Sequence, residues 1–207
     1  IAHCPARFSI ARRATLPSRE PRGLYDPIDY VLDLGGKRIR PVVALLAARM
    51  FGDDDLSKSM PVALAVEVFH NFTLLHDDIM DDSPIRRGQA TVHEKWDVNT
   101  GILSGDLMLI QAYQHLCEVP NKSTLPALLC TFNRVAIGVC EGQQYDVDFE
   151  VRDDVTIDEY LKMIELKTAV LLGGALEMGA LSAGASQDDA DHLYAFGRLT
   201  GLAFQLQ

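Results

Sequence analysis

A long apolar helical segment that ends in four aspartates is the feature that most constrains this chain. The helical pattern starts near residues 59–61 (Ser-Met-Pro), a candidate N-cap with an early proline, and runs to about Asp82. Pro84 then stops it. Its last part reads HNFTLLHDDIMDDSPIRRG over residues 70–88. A helix this apolar has to be buried among other elements, yet its end carries dense negative charge.

Helical patterns also dominate the rest of the chain. They cover PVVALLAARMF after Pro41, TGILSGDLMLIQAYQHLCE, a segment with Ser123 as candidate cap, and a segment that a Thr156–Glu159 capping box opens. Ser186 with Asp189 marks a weaker start for the last helix. We expect about eight helices and find no convincing strand, so the sequence predicts one large all-α domain. Close helix packing is predicted where small residues cluster, at Gly173, Gly174, Ala175, Gly179 and Ala180.

The composition narrows the class of protein. The 207 residues are 48% hydrophobic and 23% charged, which is typical of a globular chain. A net charge of -10 argues against nucleic acid as a partner, because a phosphate backbone requires a basic face. We find no apolar run of about 18 residues and predict no membrane span. The four cysteines show no CxxC pairing, which indicates free thiols in a reducing, cytoplasmic compartment.

The N-terminal residues differ from the rest. The first 19 carry four arginines and no acidic residue, a composition that transit peptides share. We interpret residues 1–23 as a flexible tail and residues 24–207 as the folded domain.

The four aspartates have the spacing of a metal site. Asp77 and Asp81 are four residues apart and share a helix face, and His70 lies on nearly the same face. Asp78 and Asp82 are each turned by about 100° from them. Magnesium, which prefers oxygen ligands and bridges carboxylates to phosphates, would relieve the repulsion. The alternative is a solvated acidic helix end, but negative charge there opposes the helix dipole.

Two basic clusters suggest an anionic ligand. Arg86 and Arg87 follow the aspartates in a loop, and a cationic pair beside a magnesium site would form a diphosphate clamp. The alternative is a weak surface ion pair back to Asp81 or Asp82.

The second cluster is GGKRIRP. Lys37 and Arg40 are three residues apart and can face the same way at a helix start, while Gly35 and Gly36 would let the backbone approach a ligand. A flexible solvated turn is the alternative, and the motif is not a P-loop.

Taken together, the sequence resembles the trans-isoprenyl diphosphate synthases, or polyprenyl synthetases. The matching elements are GGKRIRP, LLHDDIMDDSPIRRG, SGDLML, GQQYD, ELKT and GLAFQLQ, in the family's order from about residue 24 to 207. The resemblance implies a bundle of long, mostly antiparallel helices around a central cavity, and a homodimer. It implies Mg²⁺-dependent condensation of an allylic diphosphate (dimethylallyl, geranyl or farnesyl) with isopentenyl diphosphate, with Mn²⁺ as a substitute ion.

The same resemblance assigns roles to individual residues. It implies that Asp77 and Asp81 hold the metal with Asp78 in support, and that magnesium draws charge from the leaving diphosphate while an apolar cavity excludes water. Arg86, Lys167 and Thr168 would contact the allylic diphosphate. The remaining assignments are Lys37, Arg40, His70 and Arg87 for isopentenyl diphosphate, Gln205 beside the reacting carbons, and Gln143 with Asp146 in the cavity near the metals. For Lys167 and Gln205 an ordinary helix surface is the alternative, and for His70 a core position.

Product length is predicted from residues before Asp77. Thr73, Phe72 and Phe69 precede it by four, five and eight positions, so Phe72 lies about 7.5 Å and Phe69 about 12 Å along the axis. In the family, an aromatic residue five positions before the first aspartate accompanies short products. We therefore expect a C15 to C20 product, farnesyl or geranylgeranyl diphosphate; the alternative is that both phenylalanines are core residues.

The family's second aspartate-rich element would begin where this sequence stops, at Gln207. We therefore expect a C-terminally incomplete domain, with little turnover if these residues are the whole protein. Three alternatives stay open at this point: a class I terpene cyclase, a non-catalytic or inactive subunit of a prenyl synthase, and a plain metal-binding helical module.

Overall fold

The all-α prediction is confirmed by the computed structural model, which describes residues 19–206. The helices are α1 (Arg22–Asp33), α2 (Ile39–Met50), α3 (Met60–Met80), the one-turn α4 (Val92–Lys95), α5 (Val98–Cys117), α6 (Leu125–Phe149), α7 (Ile157–Ile164), α8 (Val170–Ala183) and α9 (Gln187–Gln205). A 3₁₀ turn (Lys122–Thr124) precedes α6, and a π-helical turn (Glu165–Ala169) joins α7 to α8. The Arg-rich segment 1–18, including Cys4, lies outside the described residues.

Helix α8 forms the centre of the bundle. Twelve of its fourteen residues are buried, and it packs against α2, α6 and α9. The predicted close packing occurs here, since a Cβ built on Gly179 would lie 2.1 Å from the carbonyl oxygen of Ala44. Helix α3 is also buried along most of its length and packs mainly against α5. Its charged end therefore emerges from the core at a fixed position.

Some of the predicted helix N-caps form and others do not. The capping box of Thr156 and Glu159 forms, and Ser186 accepts the amide hydrogen bond of Asp189. Ser59 stands at the N-cap of α3, but its side chain instead donates to Asp53 at 2.6 Å. The prediction for Ser123 is wrong, because the 3₁₀ turn occupies that position and Thr124 is the N-cap of α6.

Two further departures lie beside the acidic end of α3. A small antiparallel hairpin pairs β1 (Ile85–Arg86) with β2 (Gln89–Ala90), where no strand was predicted. Strands this short carry no readable alternation. The segment after Thr156 was predicted as one helix, but the π turn interrupts it. The hairpin holds Arg86, and the π turn contains Lys167.

Candidate active site

Acidic side chains from α3 and α6 converge at one end of the bundle. Lys167 Nζ lies 3.2 Å from Asp77 Oδ1 and 2.5 Å from Asp146 Oδ2. Burial lowers the pKa of Lys167, but the hydrogen bond to Asp146 and the charge of Asp77 outweigh it and raise the pKa. Burial and the neighbouring charge of Asp77 raise the pKa of Asp81. This cluster of Asp77, Asp81 and Asp146 is named the acidic cluster below.

The acidic cluster fits a hard divalent cation. Its donors are carboxylate oxygens, the set that magnesium prefers. Asp77 Oδ1 is buried, and the ammonium of Lys167 lies between it and Asp146, so two of the carboxylates already attract a cation. Asp82 does not join them, because its side chain is 97% exposed and approaches His93 instead. Asp77 in the last turn of α3 and Asp81, its C-cap residue, are thus the residues that would hold the metal.

Arg86 is anchored on the aspartates that precede it. Its Nε donates to both carboxylate oxygens of Asp78, at 2.7 and 2.8 Å, and its Nη2 lies 3.4 Å from Asp77. Burial lowers the pKa of Arg86, but the hydrogen bonds to Asp78 reverse the effect and raise it. Among the described residues, Arg86 forms its ion pairs with Asp78 and Asp77 and not with Asp81 or Asp82, the partners of the alternative interpretation. Asp78 is buried and positions Arg86 at the edge of the acidic cluster.

The π turn brings Lys167 and Thr168 to the same end of the bundle. A Cβ built on Gly142 of α6 would lie 2.2 Å from the backbone nitrogen of Lys167. The two backbones can approach this closely only because residue 142 has no side chain. π-helical turns often occur at functional sites, and this one aims Lys167 at Asp77 and Asp146.

A second, basic cavity of about 500 Å³ lies beside the start of α2. Lys37, Arg40, His70 and Arg87 line it, so the structure brings together the four residues assigned to isopentenyl diphosphate. Lys37 and Arg40 do not share a helical face as predicted, since Lys37 precedes α2. Phe204, next to Gln205 near the end of α9, also lines the cavity. Gln205 itself is exposed.

The charges in the basic cavity crowd one another. Burial lowers the pKa of Arg87, as does the nearby Arg38. Burial also lowers the pKa of His70 well below its ordinary value, and four arginines act in the same direction. His70 is therefore neutral near pH 7, and its Nε2 accepts a hydrogen bond from Arg40 Nη1 at 3.1 Å. An anion bound here would relieve the repulsion.

The glycine pair lies against the side chain of Arg87. Gly36 has a φ of +125°, which side-chain-bearing residues rarely adopt. A Cβ at this position would lie 2.8 Å from the guanidinium carbon of Arg87, which donates to the carbonyl of Gly35. The backbone at these glycines is approached by Arg87, and this contact joins the two basic motifs.

An apolar cavity of about 230 Å³ lies between α3 and α6. Its lining includes Phe72, Thr73 and His76 from α3 and Val139, Cys140 and Gln143 from α6. Gln143 is one helical turn from Asp146, so this cavity adjoins the acidic cluster. Phe69 does not line it; the ring is 1% exposed and packs against Phe72 and Phe132, with ring centroids 5.6 and 5.1 Å apart. Phe69 thus occupies a core position.

Two features of the site were missed at the sequence level. Arg38, Glu67 and Asn71 form a buried polar cluster behind the basic cavity. An acidic residue inside an otherwise apolar stretch of α3 was a signal that could have revealed Glu67. Gly142 was quoted as part of a motif, but no local pattern indicates which backbone it touches.

Comparison with known proteins decides the family. A family profile described as polyprenyl synthetase matches residues 21–207. The chain belongs to the polyprenyl synthetase family. It is 46% identical over 193 residues to a geranylgeranyl diphosphate synthase of Methanosarcina mazei, covering 92% of this chain and 59% of that protein. It is 41% identical over 211 residues to a geranylfarnesyl diphosphate synthase of Natronomonas pharaonis, covering 93% and 61%.

The fold agrees with that of solved members of the family. A crystal structure of a geranylgeranyl pyrophosphate synthase superposes with a TM-score of 0.95 at 53% identity, covering 99% of this chain and 62% of that one. The chain thus spans about three fifths of the length of these polyprenyl synthetases.

Within residues 19–206, one segment is long and apolar enough to be considered as a membrane span. Lys122–Phe149, which comprises the 3₁₀ turn and α6, could cross a membrane by length and composition, a test that core helices of soluble proteins also pass. One face of α6 packs against α8 and the π turn. Composition therefore does not establish a span, and its absence remains a prediction.

Proposed function

We propose that this chain carries the active-site region of a trans-prenyltransferase. The reaction joins an allylic diphosphate (dimethylallyl, geranyl or farnesyl) to isopentenyl diphosphate and gives a C15 to C20 prenyl diphosphate. The supporting observation is the pairing of two charged sites with an apolar cavity. The acidic cluster with Arg86 and Lys167 suits a metal-bound diphosphate, and the basic cavity, lined by three arginines and a lysine, suits a second diphosphate.

In the proposed reaction the allylic C–O bond breaks and leaves an allylic cation and diphosphate. The isopentenyl double bond attacks that cation, a carbon–carbon bond forms, and the proton lost is taken by the released diphosphate. Arg86 and Lys167 would stabilise the departing anion, and the lining around Phe72 would keep water from the cation. Asp77 and Asp81 would hold Mg²⁺, or Mn²⁺ in its place, which supplies charge neutralisation at the leaving group. Thr168 and Gln205 are proposed to contact the substrates from the π turn and the end of α9.

The basic cavity distinguishes this proposal from a terpene cyclase, which ionises a diphosphate without binding isopentenyl diphosphate. We expect Arg87→Ala to weaken isopentenyl diphosphate binding about tenfold or more, because a charge-assisted hydrogen-bonding group is lost from a part-buried cavity. Calorimetric titration in the absence of metal measures the dissociation constant. Arg49→Ala, an exposed arginine on α2, is the matched control and should bind as the parent chain does. Absence of isopentenyl diphosphate binding by the parent chain would refute the proposed function.

The apolar cavity suggests how product length is limited. Phe72→Ala removes the ring from the cavity lining, and a longer tail should then be accommodated. Each buried methylene contributes roughly 0.8 kcal/mol, so burying about two more carbons of the tail should raise the affinity for geranylgeranyl diphosphate about tenfold relative to farnesyl diphosphate. Competition titrations with Mg²⁺ present measure this ratio. Phe69→Leu, a change in the adjacent core ring, should leave it unchanged; an unaltered ratio in Phe72→Ala would remove Phe72 from this role.

Two broader proposals rest on surface properties. We propose a homodimer, because α5 exposes large apolar side chains such as Leu103 and Ile110, seven residues apart on one face. We also propose a cytoplasmic location, since Cys117, Cys130 and Cys140 are free thiols.

A further inference from the structure

A buried glutamate faces the basic cavity without a role in the proposed reaction. Glu67, on α3, is 2% exposed and lines the cavity. Its Oε1 is the partner of Arg38 and also accepts a hydrogen bond from Asn71 at 2.7 Å. Its Oε2 is buried and has no hydrogen-bond partner among the described residues. A buried carboxylate is unfavourable without hydrogen-bond partners, so the presence of one beside an anion site needs a physical explanation.

The surrounding cations explain the presence of the Glu67 carboxylate. Arg38, Arg40 and Arg87 all line one cavity, and Glu67 is the one acidic residue among the described residues that line it. Burial lowers the pKa of Arg40 and of Arg87, and the charge of Glu67 opposes the decrease in both. Without this carboxylate, no negatively charged side chain among the described residues would line the cavity beside the three guanidinium groups until an anion bound.

Arg38 connects Glu67 to the backbone that carries the other cations. It is the N-cap residue of α2 and has a left-handed φ of +50°, a strained conformation for a residue with a side chain. Its guanidinium pairs with Glu67 and donates from Nη2 to the carbonyl of Leu32 at 2.5 Å. These contacts hold the backbone at the start of α2, between Lys37 before the helix and Arg40 in its first turn.

We propose that Glu67 is a positioning residue for isopentenyl diphosphate: by anchoring Arg38, it sets the spacing of Lys37, Arg40 and Arg87 around the cavity. This inference rests on the proposed function of the basic cavity. The proposed role predicts a change in binding affinity opposite in sign to the change expected from charge repulsion alone. A carboxylate beside a phosphate site should repel the ligand, so its removal should tighten binding if charge alone mattered. If the carboxylate positions the cations, its removal weakens binding.

The test is Glu67→Gln, which removes the charge and preserves the shape of the side chain. Isopentenyl diphosphate is titrated into the full 207-residue chain with a metal chelator present, and inorganic diphosphate is titrated separately. We expect the dissociation constant to rise about tenfold for both ligands, the loss typical of one charge-assisted interaction. Unchanged or tighter binding by the variant, with normal binding by the parent chain, would overturn the role of Glu67 and leave the proposed function intact. Absence of binding by the parent chain would overturn both.

A matched control separates positioning from stability. Glu177 on α8 is also buried and also paired with an arginine, Arg134, but it lies outside the basic cavity. We expect Glu177→Gln to lower the thermal unfolding temperature about as much as Glu67→Gln does. It should leave isopentenyl diphosphate binding unchanged. Mg²⁺-dependent binding of farnesyl diphosphate should be retained in Glu67→Gln. An equal loss at both ligand sites would indicate a purely structural role and contradict the proposal.

Arg38 provides the second test. If Glu67 acts through Arg38, then Arg38→Gln should weaken binding about as much, and the double variant should lose little more than either single one. Losses that multiply in the double variant would show that the two residues act independently. Should Glu67→Gln fail to fold, the Arg38→Gln titration decides alone, and unaltered binding in that variant would overturn the proposal.

Discussion

Asp77→Asn is expected to weaken the Mg²⁺-dependent binding of farnesyl diphosphate by about a hundredfold or more. Asp77 contacts both cationic side chains of this site, with Lys167 at 3.2 Å and Arg86 at 3.4 Å. The variant would therefore lose a metal ligand and the attraction that holds Lys167 and Arg86 in place. A bound metal contributes several kcal/mol of charge stabilisation, and each 1.4 kcal/mol is a factor of ten.

The measurement is a titration of farnesyl diphosphate at saturating Mg²⁺ and again with a chelator. Asp54→Asn makes the same charge change at an exposed aspartate between α2 and α3 and should bind as the parent chain does. Metal-free binding of isopentenyl diphosphate should also be unaltered in Asp77→Asn, because the basic cavity is lined by other residues. Retained Mg²⁺-dependent binding in Asp77→Asn would refute the metal assignment.

Gly142→Ala is expected to damage both stability and the allylic site. The added methyl would lie 2.2 Å from the backbone nitrogen of Lys167 and 2.7 Å from the carbonyl carbon of Leu166. Backbone atoms cannot move aside as the end of a flexible side chain can, so α6 and the π turn must separate. Overpacking of this kind typically costs about 1–3 kcal/mol, and a contact with backbone should lie at or above the upper end. The displaced Lys167 would lose its contacts with Asp77 and Asp146.

Thermal unfolding and farnesyl diphosphate titration with Mg²⁺ together test this prediction. We expect a lower unfolding temperature and at least about tenfold weaker binding, since the displaced Lys167 no longer meets the diphosphate. Gly138→Ala is the matched control, because a Cβ there meets only side chains at 3.5 Å or more, and alanine also favours the helix. If Gly142→Ala behaves like Gly138→Ala, the close contact between α6 and the π turn is not required for binding.

The acidic cluster and the basic cavity position their arginines in the same way. In each, cations are held by buried or part-buried carboxylates: Asp78 holds Arg86, and Glu67 holds Arg38. Lone arginines in flexible loops would lose side-chain entropy on binding a ligand, whereas anchored ones are already ordered. A non-catalytic subunit would have no need to preserve the acidic cluster, and a plain metal-binding module would have no need of the basic cavity.

Much of this arrangement can be predicted from the sequence, because the patterns that indicate it involve residues close together in the chain. The i, i+4 spacing of Asp77 and Asp81, the Thr156–Glu159 capping box and the apolar periodicity of α3 each depend on residues within one or two helical turns. The same local spacing also placed Phe69 and Phe72 at successive depths before Asp77. This spacing could not show that Phe72 lines the apolar cavity while Phe69 packs on Phe132. Which of the two rings is buried depends on the neighbouring helix that packs against it.

The sequence by itself determined the helical class, the family and the presence of an acidic cluster followed by arginines. Only the tertiary structure decided that Arg86 pairs with Asp78, that Gly36 makes room for Arg87, and that Glu67 holds Arg38. It also decided that Gly142 allows the π turn to aim Lys167 at Asp77. Helix formation depends on neighbours along the chain, whereas all of these contacts except that of Arg86 with Asp78 join residues 25 to 90 positions apart, and their partners are fixed by how the helices pack.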